Sequence, residues 1–421
     1  MATDRTISRA SLIRWLFPFV LAALALLALE RTFGPGAPNV PRAPAPPPIF
    51  VGGPKSYEEA LSRIDASLAG ARQRAEERSG EWLMHAVLAR RYLARARLTG
   101  SFDDYAAADA ALARAFAVAR PGTGPHATQA MLDFTLHRLA GAERALDSMD
   151  AYAVPPGRIE RAEMIAMRGD IAFYRGRYAE ALAAYAEADV IAPGSADFRR
   201  AVYHSMTGRP DLADRYFERA AAGTPFRTPQ AAAYIELQRG ILDLDRGHWD
   251  AALIRFRAAD RLFPGHWLIE EHIAEVLALK GDIETAERLY RDIVGSTGHP
   301  EFMDALAGLA RGQGDTAGAR RWSHRAAGEW TRRLRLLPEA AYGHAIDHCL
   351  ATEKWDCALD LARRNHANRS YGEAKVLLAE ALFRSGRLAE AREAIDQVLA
   401  SPWRTARTRA VAIRIEEAPL P

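Results

Sequence analysis

The chain has 421 residues, 49% of them hydrophobic and 26% charged, which is the composition of a folded protein and excludes a disordered one. Its 56 basic and 53 acidic side chains leave a net charge of +3, a near balance that argues against nucleic acid as a partner, since such a binder carries a strong one-sided basic excess. Two cysteines, Cys349 and Cys357, are too few for a disulfide scaffold and lack the CxxC spacing of zinc or redox pairs.

At the N-terminus Arg5, Arg9 and Arg14 precede the uncharged stretch WLFPFVLAALALLAL at residues 15–29. A basic region followed by an apolar core reads as a signal anchor or a signal peptide over residues 12–30. Leu12 and Ile13 extend the run to roughly the 17 residues that a span needs. The run ends Leu27, Ala28, Leu29, Glu30 without a clean small-residue cleavage site, so retention as an anchor is the preferred expectation. Residues 1–11 would then be a cytoplasmic tail, and the rest of the chain would lie in the periplasm, tied to the inner membrane by a single pass. Cleavage would instead release it into the periplasm. Residues 31–55 include TFGPGAPNVPRAPAPPPIFVGGP, whose prolines favour extended polyproline conformation and a semi-rigid spacer.

From residue 56 the pattern is helical and repetitive. Residues 56–155 hold two loose copies, Gly100 with Phe102 and Leu112, then His137 with Leu139, Ala142, Leu146 and Met149. From residue 156 to 415 the copies sharpen, and residues 169–193, GDIAFYRGRYAEALAAYAEADVIAP, show the design. Gly169, Ala181 and Ala188 let two helices meeting at Gly176 approach closely. Tyr178 and Tyr185, two helical turns apart, fill one face beside them, and Pro193 ends the second helix. The order recurs at Gly208 with Ala213, Phe217, Ala220 and Pro225, and at Gly247 with Trp249, Ala252, Phe256, Ala259 and Pro264. Gly281 with Ala286, Tyr290 and Ile293, Gly314 with Ala319 and Ala326, Glu353 with Trp355 and Ala358, and Gly386 with Ala391, Ile395 and Val398 continue it.

These residues resemble the tetratricopeptide repeat, a unit of about 34 residues with small residues, an aromatic and a terminal proline in this order. An alanine-rich helical bundle would repeat small residues by composition but not at fixed offsets to aromatics and prolines. The resemblance covers roughly residues 56–415 and implies an all-α fold. That fold is a right-handed superhelical solenoid of about nine helical hairpins, preceded by the N-terminal transmembrane or signal helix.

No phosphate loop, GxSxG elbow, HExxH helix or dinucleotide fingerprint is present, so no enzyme, cofactor or small-molecule substrate is expected. His344 and His348 share one helical face but fall two ligands short of a structural metal site. In the family the first helix of each hairpin lines a concave groove. Registering the copies gives Phe173, Tyr174, Phe198 and Tyr234 as an apolar stretch, followed by Glu271, His272, Glu275, Asp304, Asp347 and Glu380 as a largely acidic one. Repeat, anchor and groove together point to a non-enzymatic scaffold of the cell envelope that grips an extended or helical segment of a protein partner. An accessory subunit of an envelope enzyme or export complex is the alternative. The bland reading of the same positions is packing between neighbouring repeats and solvated acids. Cys349 and Cys357, four residues before and after Glu353, should face each other across a hairpin, either bonded in an oxidising compartment or as buried thiols.

Overall fold

The structure is a computed structural model that describes residue 50 and residues 52–223 and 228–418. The expected tail, anchor and most of the spacer, and also Pro225, lie outside the described residues. Among the described residues there are twenty helices, from α1 (Tyr57–Glu77) to α20 (Ala406–Glu416). None of them is long and apolar enough to cross a membrane, and among the described residues extended pairing is confined to one isolated bridge between Thr207 and Arg404.

Between α1 and α20 the helices pair into nine hairpins. They are α2 (Trp82–Thr99) with α3 (Phe102–Val118), α4 (His126–Thr135) with α5 (Leu139–Asp150), and α6 (Arg158–Tyr174) with α7 (Tyr178–Ile191). Next come α8 (Asp197–Met206) with α9 (Pro210–Gly223), α10 (Pro229–Asp245) with α11 (Trp249–Leu262), and α12 (Trp267–Lys280) with α13 (Ile283–Thr297). The last three are α14 (Pro300–Gly312) with α15 (Thr316–Leu336), α16 (Pro338–Ala351) with α17 (Trp355–Asn368), and α18 (Gly372–Arg384) with α19 (Leu388–Ala400).

Each hairpin turns on one residue in the left-handed region. Seven of these are glycines, such as Gly176 at φ 73° and Gly247 at φ 77°, and the other two are His137 at φ 61° and Glu353 at φ 57°. Left-handed backbone costs an L-residue about 1–2 kcal/mol and a glycine almost nothing. Glu353 is exposed, so its side chain supplies little compensation. Glu353→Gly is therefore expected to raise stability by about 1 kcal/mol, read as a higher denaturant midpoint at unchanged slope.

The two helices of a hairpin close on small residues. A Cβ added at Gly169 would lie 2.7 Å from Tyr185 Cε1, and one at Gly240 would lie 2.4 Å from Phe256 Cε1, the same offset in two repeats. Ala181, Ala188, Ala252 and Ala259 are wholly buried. First helices of successive hairpins touch one another, as α10 with α12, α14 with α16 and α16 with α18. Second helices instead touch the first helix of the next hairpin, as α11 with α12 and α17 with α18. That asymmetry bends the stack, with the first helices on the inside.

The bend is tight enough for the stack to meet itself. The backbone N–H of Tyr57 donates to Pro264 O at 3.0 Å, and Trp267 Nε1 donates to Leu98 O at 3.0 Å. The His299 ring covers Gly100, where an added Cβ would lie 2.5 Å from its Cε1. Asn368 Nδ2 donates to His137 O at 2.7 Å, and Ser370 Oγ donates to Arg175 O at 3.1 Å. The backbone N–H of Arg404 donates to Met206 O at 2.8 Å. The turn at residue 100 thus docks after α13, those at 137 and 176 both dock at the end of α17, and the one at 208 docks after α19. One winding of the solenoid seats on the next along a continuous seam.

Candidate functional site

The seam decides what the inner surface presents. Phe173, Tyr174 and Phe198 are buried, and Tyr234 is half-buried, stacked on Phe198 with ring centroids 5.7 Å apart. Phe173 packs across the seam against Trp403 at 5.9 Å, and Tyr174 packs against Tyr371 at 4.9 Å. The acids are occupied as well. Glu271 Oε1 lies 2.5 Å from His272 Nδ1, with Glu271, His272 and Glu275 all buried. Burial pushes the His272 imidazole down, but Glu271 and Glu275 outweigh it and hold its pKa above the ordinary value. Asp304 accepts from Trp330 Nε1 at 2.8 Å and pairs with His348 Nδ1 at 2.8 Å.

Asp347 and Glu380 converge on Arg407 of α20, whose Nη2 lies 2.6 Å from Asp347 Oδ1 and 2.9 Å from Glu380 Oε2. Arg414 Nη2 adds a second bond to Glu380 at 2.8 Å. Burial raises the Asp347 pKa to about 6 in spite of Arg407. For Glu380 the burial effect is outweighed by Arg407 and Arg414, and its pKa falls below the ordinary value. The bland alternative of solvated acids does not hold for these positions: the second winding covers the apolar stretch, α20 supplies cations to Asp347 and Glu380, and Glu271 and Asp304 lie against His272 and His348.

An opening lies on the inner side of the seam. A cavity of ≈ 60 Å³ lies between Phe173, Tyr174, Val202 and Met206 of the first winding and His344, Asp347, Arg369 and Trp403 of the second. Three of the expected groove residues, Phe173, Tyr174 and Asp347, are brought together in its walls. The remaining seven are held elsewhere in the core. Arg369, Trp403 and Arg407 are the residues that repeat registration missed. They stand in the connections and in α20, outside the repeating positions, and the clusters NRSYG at 368–372 and SPWR at 401–404 are the only sequence sign of them.

Cys349 and Cys357 are joined in a disulfide across the turn at Glu353, with Cα atoms 5.9 Å apart and eight residues of separation. A loop this short limits the entropic stabilisation to about 2–3 kcal/mol. Alkylation of denatured, unreduced protein from its native compartment is expected to label neither cysteine, and reduction to lower stability by no more than that amount. Two labelled thiols before reduction would show that the bond does not form there.

No family model matches the chain, and no curated protein matches it. Among solved structures it is similar to a tetratricopeptide repeat protein from Parabacteroides merdae, at 12% identity and TM-score 0.37, over 61% of this chain and 99% of that one. Yeast Tom70 aligns at 13% identity and TM-score 0.40 over 86% and 87% of the two chains. Human IFIT1 aligns at 15% identity and TM-score 0.46 over 82% and 79%. These likenesses are distant, and the assignment of the fold rests on this chain's own geometry. Nine hairpins, each turning on a left-handed residue and two of them closed by a glycine against an aromatic ring at the same offset, make the described residues an all-α solenoid of stacked helical hairpins, similar to the tetratricopeptide-repeat type.

Proposed function

We propose that the chain is a non-enzymatic interaction scaffold of the cell envelope that receives a segment of a protein partner at the seam between its two windings. The observation that carries this reading is the cavity itself, where the aromatic half of the inner surface, Phe173 and Tyr174, faces the charged half, Asp347, across an opening. The other inner side chains named above are engaged in packing and ion pairing, and this cavity offers a partner segment a place to enter without unfolding a repeat. An apolar anchor residue suits the aromatic wall. The envelope address is supported by the basic and apolar N-terminal sequence and by the cysteine pair.

The test is site-specific photocrosslinking in the native cell with the full chain. A photo-reactive benzoylphenylalanine in place of Glu373, in the cavity wall, is expected to trap one partner that the same group in place of Arg257 on α11 does not. The adduct should diminish when Phe173 is replaced by Ala. Adducts from the outer position alone would move the binding surface to the outer helices. Recovery of a C-terminally tagged chain from the cytoplasmic soluble fraction would overturn the address.

A further inference from the structure

Two arginines line the seam cavity, and their surroundings differ. Arg407 is engaged by Asp347 at 2.6 Å, Glu380 at 2.9 Å and Glu373 at 3.7 Å. Arg369 is only 1% exposed and yet forms no ion pair among the described residues. Its Nε donates to Asn365 Oδ1 at 2.9 Å, its guanidinium lies 5.5 Å from the centre of the Tyr371 ring, and its Nη1 is buried with no partner. A buried cation that neither pairs nor fills its donors is costly. It stays charged, because guanidinium does not deprotonate in proteins. The carboxylates of the cavity already have their cation, and Arg369 is the cation that has no carboxylate.

We propose that Arg369 anchors a binding site for a short aliphatic monocarboxylate, whose carboxylate meets the guanidinium fork and whose carbon tail lies against Val202, Leu377 and Trp403. The planar fork matches a carboxylate in two parallel hydrogen bonds. At about 30 Å³ per water, a cavity of ≈ 60 Å³ holds about two water-sized groups, room for the carboxylate itself, and the apolar wall that leads out of it rewards each added methylene. A single negative charge fits better than two. Asp347 and Glu373 stand in the same wall, and no second cation helps, since burial and Arg369 hold the His137 and His344 imidazoles neutral, His344 at a pKa of about 3. The ligand touches both windings and fastens the seam. The site needs no protein partner, so it stands or falls apart from the scaffold reading.

Propionate is the probe, titrated into the full chain by calorimetry, with propionamide as its uncharged isostere. Saturable binding of one propionate per chain and no detectable binding of propionamide are expected. Arg369→Gln should weaken propionate about tenfold or more, the loss of a charged hydrogen-bonded pair. Val202→Phe, which fills the cavity and leaves Arg369 in place, should abolish binding. Equal binding of propionate and propionamide would overturn the proposal. So would unchanged affinity in either variant, or displacement of propionate by an equal concentration of inorganic phosphate. If Arg369→Gln fails to fold, the isostere comparison and Val202→Phe decide the matter.

Discussion

Trp403→Ala is expected to cost about 3 kcal/mol, the lower end of the range for truncating a buried aromatic, and to open the seam. The indole is 2% exposed and wedged between the windings, with ring centroids 5.9 Å from Phe173, 6.3 Å from Tyr178 and 5.4 Å from Tyr371. It also lies over Gly372, where an added Cβ would be 2.0 Å from Cγ. The low end applies because the indole N–H is buried without an acceptor, so its removal also relieves an unmet donor. Equilibrium unfolding gives the loss. Amide exchange locates it: the N–H of Gly372, bonded to Tyr178 Oη at 2.8 Å, and that of Arg404 should lose protection while amides inside α6 and α7 keep theirs. A loss under about 1 kcal/mol with both amides still protected would mean that the windings do not depend on this wedge.

Arg407→Ala is expected to destabilise by about 3 kcal/mol near neutral pH, the scale for removing one partner of a buried ion pair, and by less in mild acid. It takes the shared counter-ion from Asp347 and Glu380, leaving Arg414 on Glu380 alone. The Asp347 pKa in the folded protein, about 6, already exceeds the unfolded value near 3.9. Its contribution to stability is therefore present below about pH 4 and is lost as pH rises through 6. Without Arg407 the folded-state pKa of Asp347 moves further up and that of Glu380 rises from its lowered value, so stability that Glu380 had kept above the acid range is lost and the variant fares worst above pH 7. Denaturant midpoints of both proteins between pH 5 and pH 8 should converge toward the acid end. A gap that widens on acidification would show that Arg407 does not stabilise these carboxylates.

The hairpins were legible because each is fixed by residues close in sequence. Gly176 marks its turn, and Ala181 and Tyr185 mark the face that closes on Gly169, all within one repeat. Even the turns without glycine kept their register, since the residues at fixed offsets from His137 and Glu353 still show it. Closure of the stack was not legible. Its contacts join residues 169 to 231 apart, such as Leu98 with Trp267 and His137 with Asn368, and no periodicity records them. That is why the groove positions could be numbered from sequence while their surroundings could not. Phe173 and Tyr174 are inward-facing aromatics in any register, but whether they meet a partner or Trp403 and Tyr371 depends on the winding. The two irregular turns show a related limit. His137 is held by a buried ring 5.6 Å from that of Tyr174, and Glu353 lies between the two halves of a disulfide.

The seam also changes the order in which the molecule can be made. In an open stack of repeats, folding nucleates locally and each unit is complete once its neighbour has formed. Here the edges at Leu98, His137, Arg175 and Met206 leave the ribosome well before Trp267, Asn368, Ser370 and Arg404, which cover them. The first hairpins must persist as an uncapped half-ring while the remainder is synthesised, exposing apolar surface of the kind that favours aggregation. A stop codon before residue 403 would leave that half-ring permanently uncovered at Met206, so loss of a few per cent of the chain at its C-terminus would be felt two hundred residues upstream, in hairpins whose own sequence is intact.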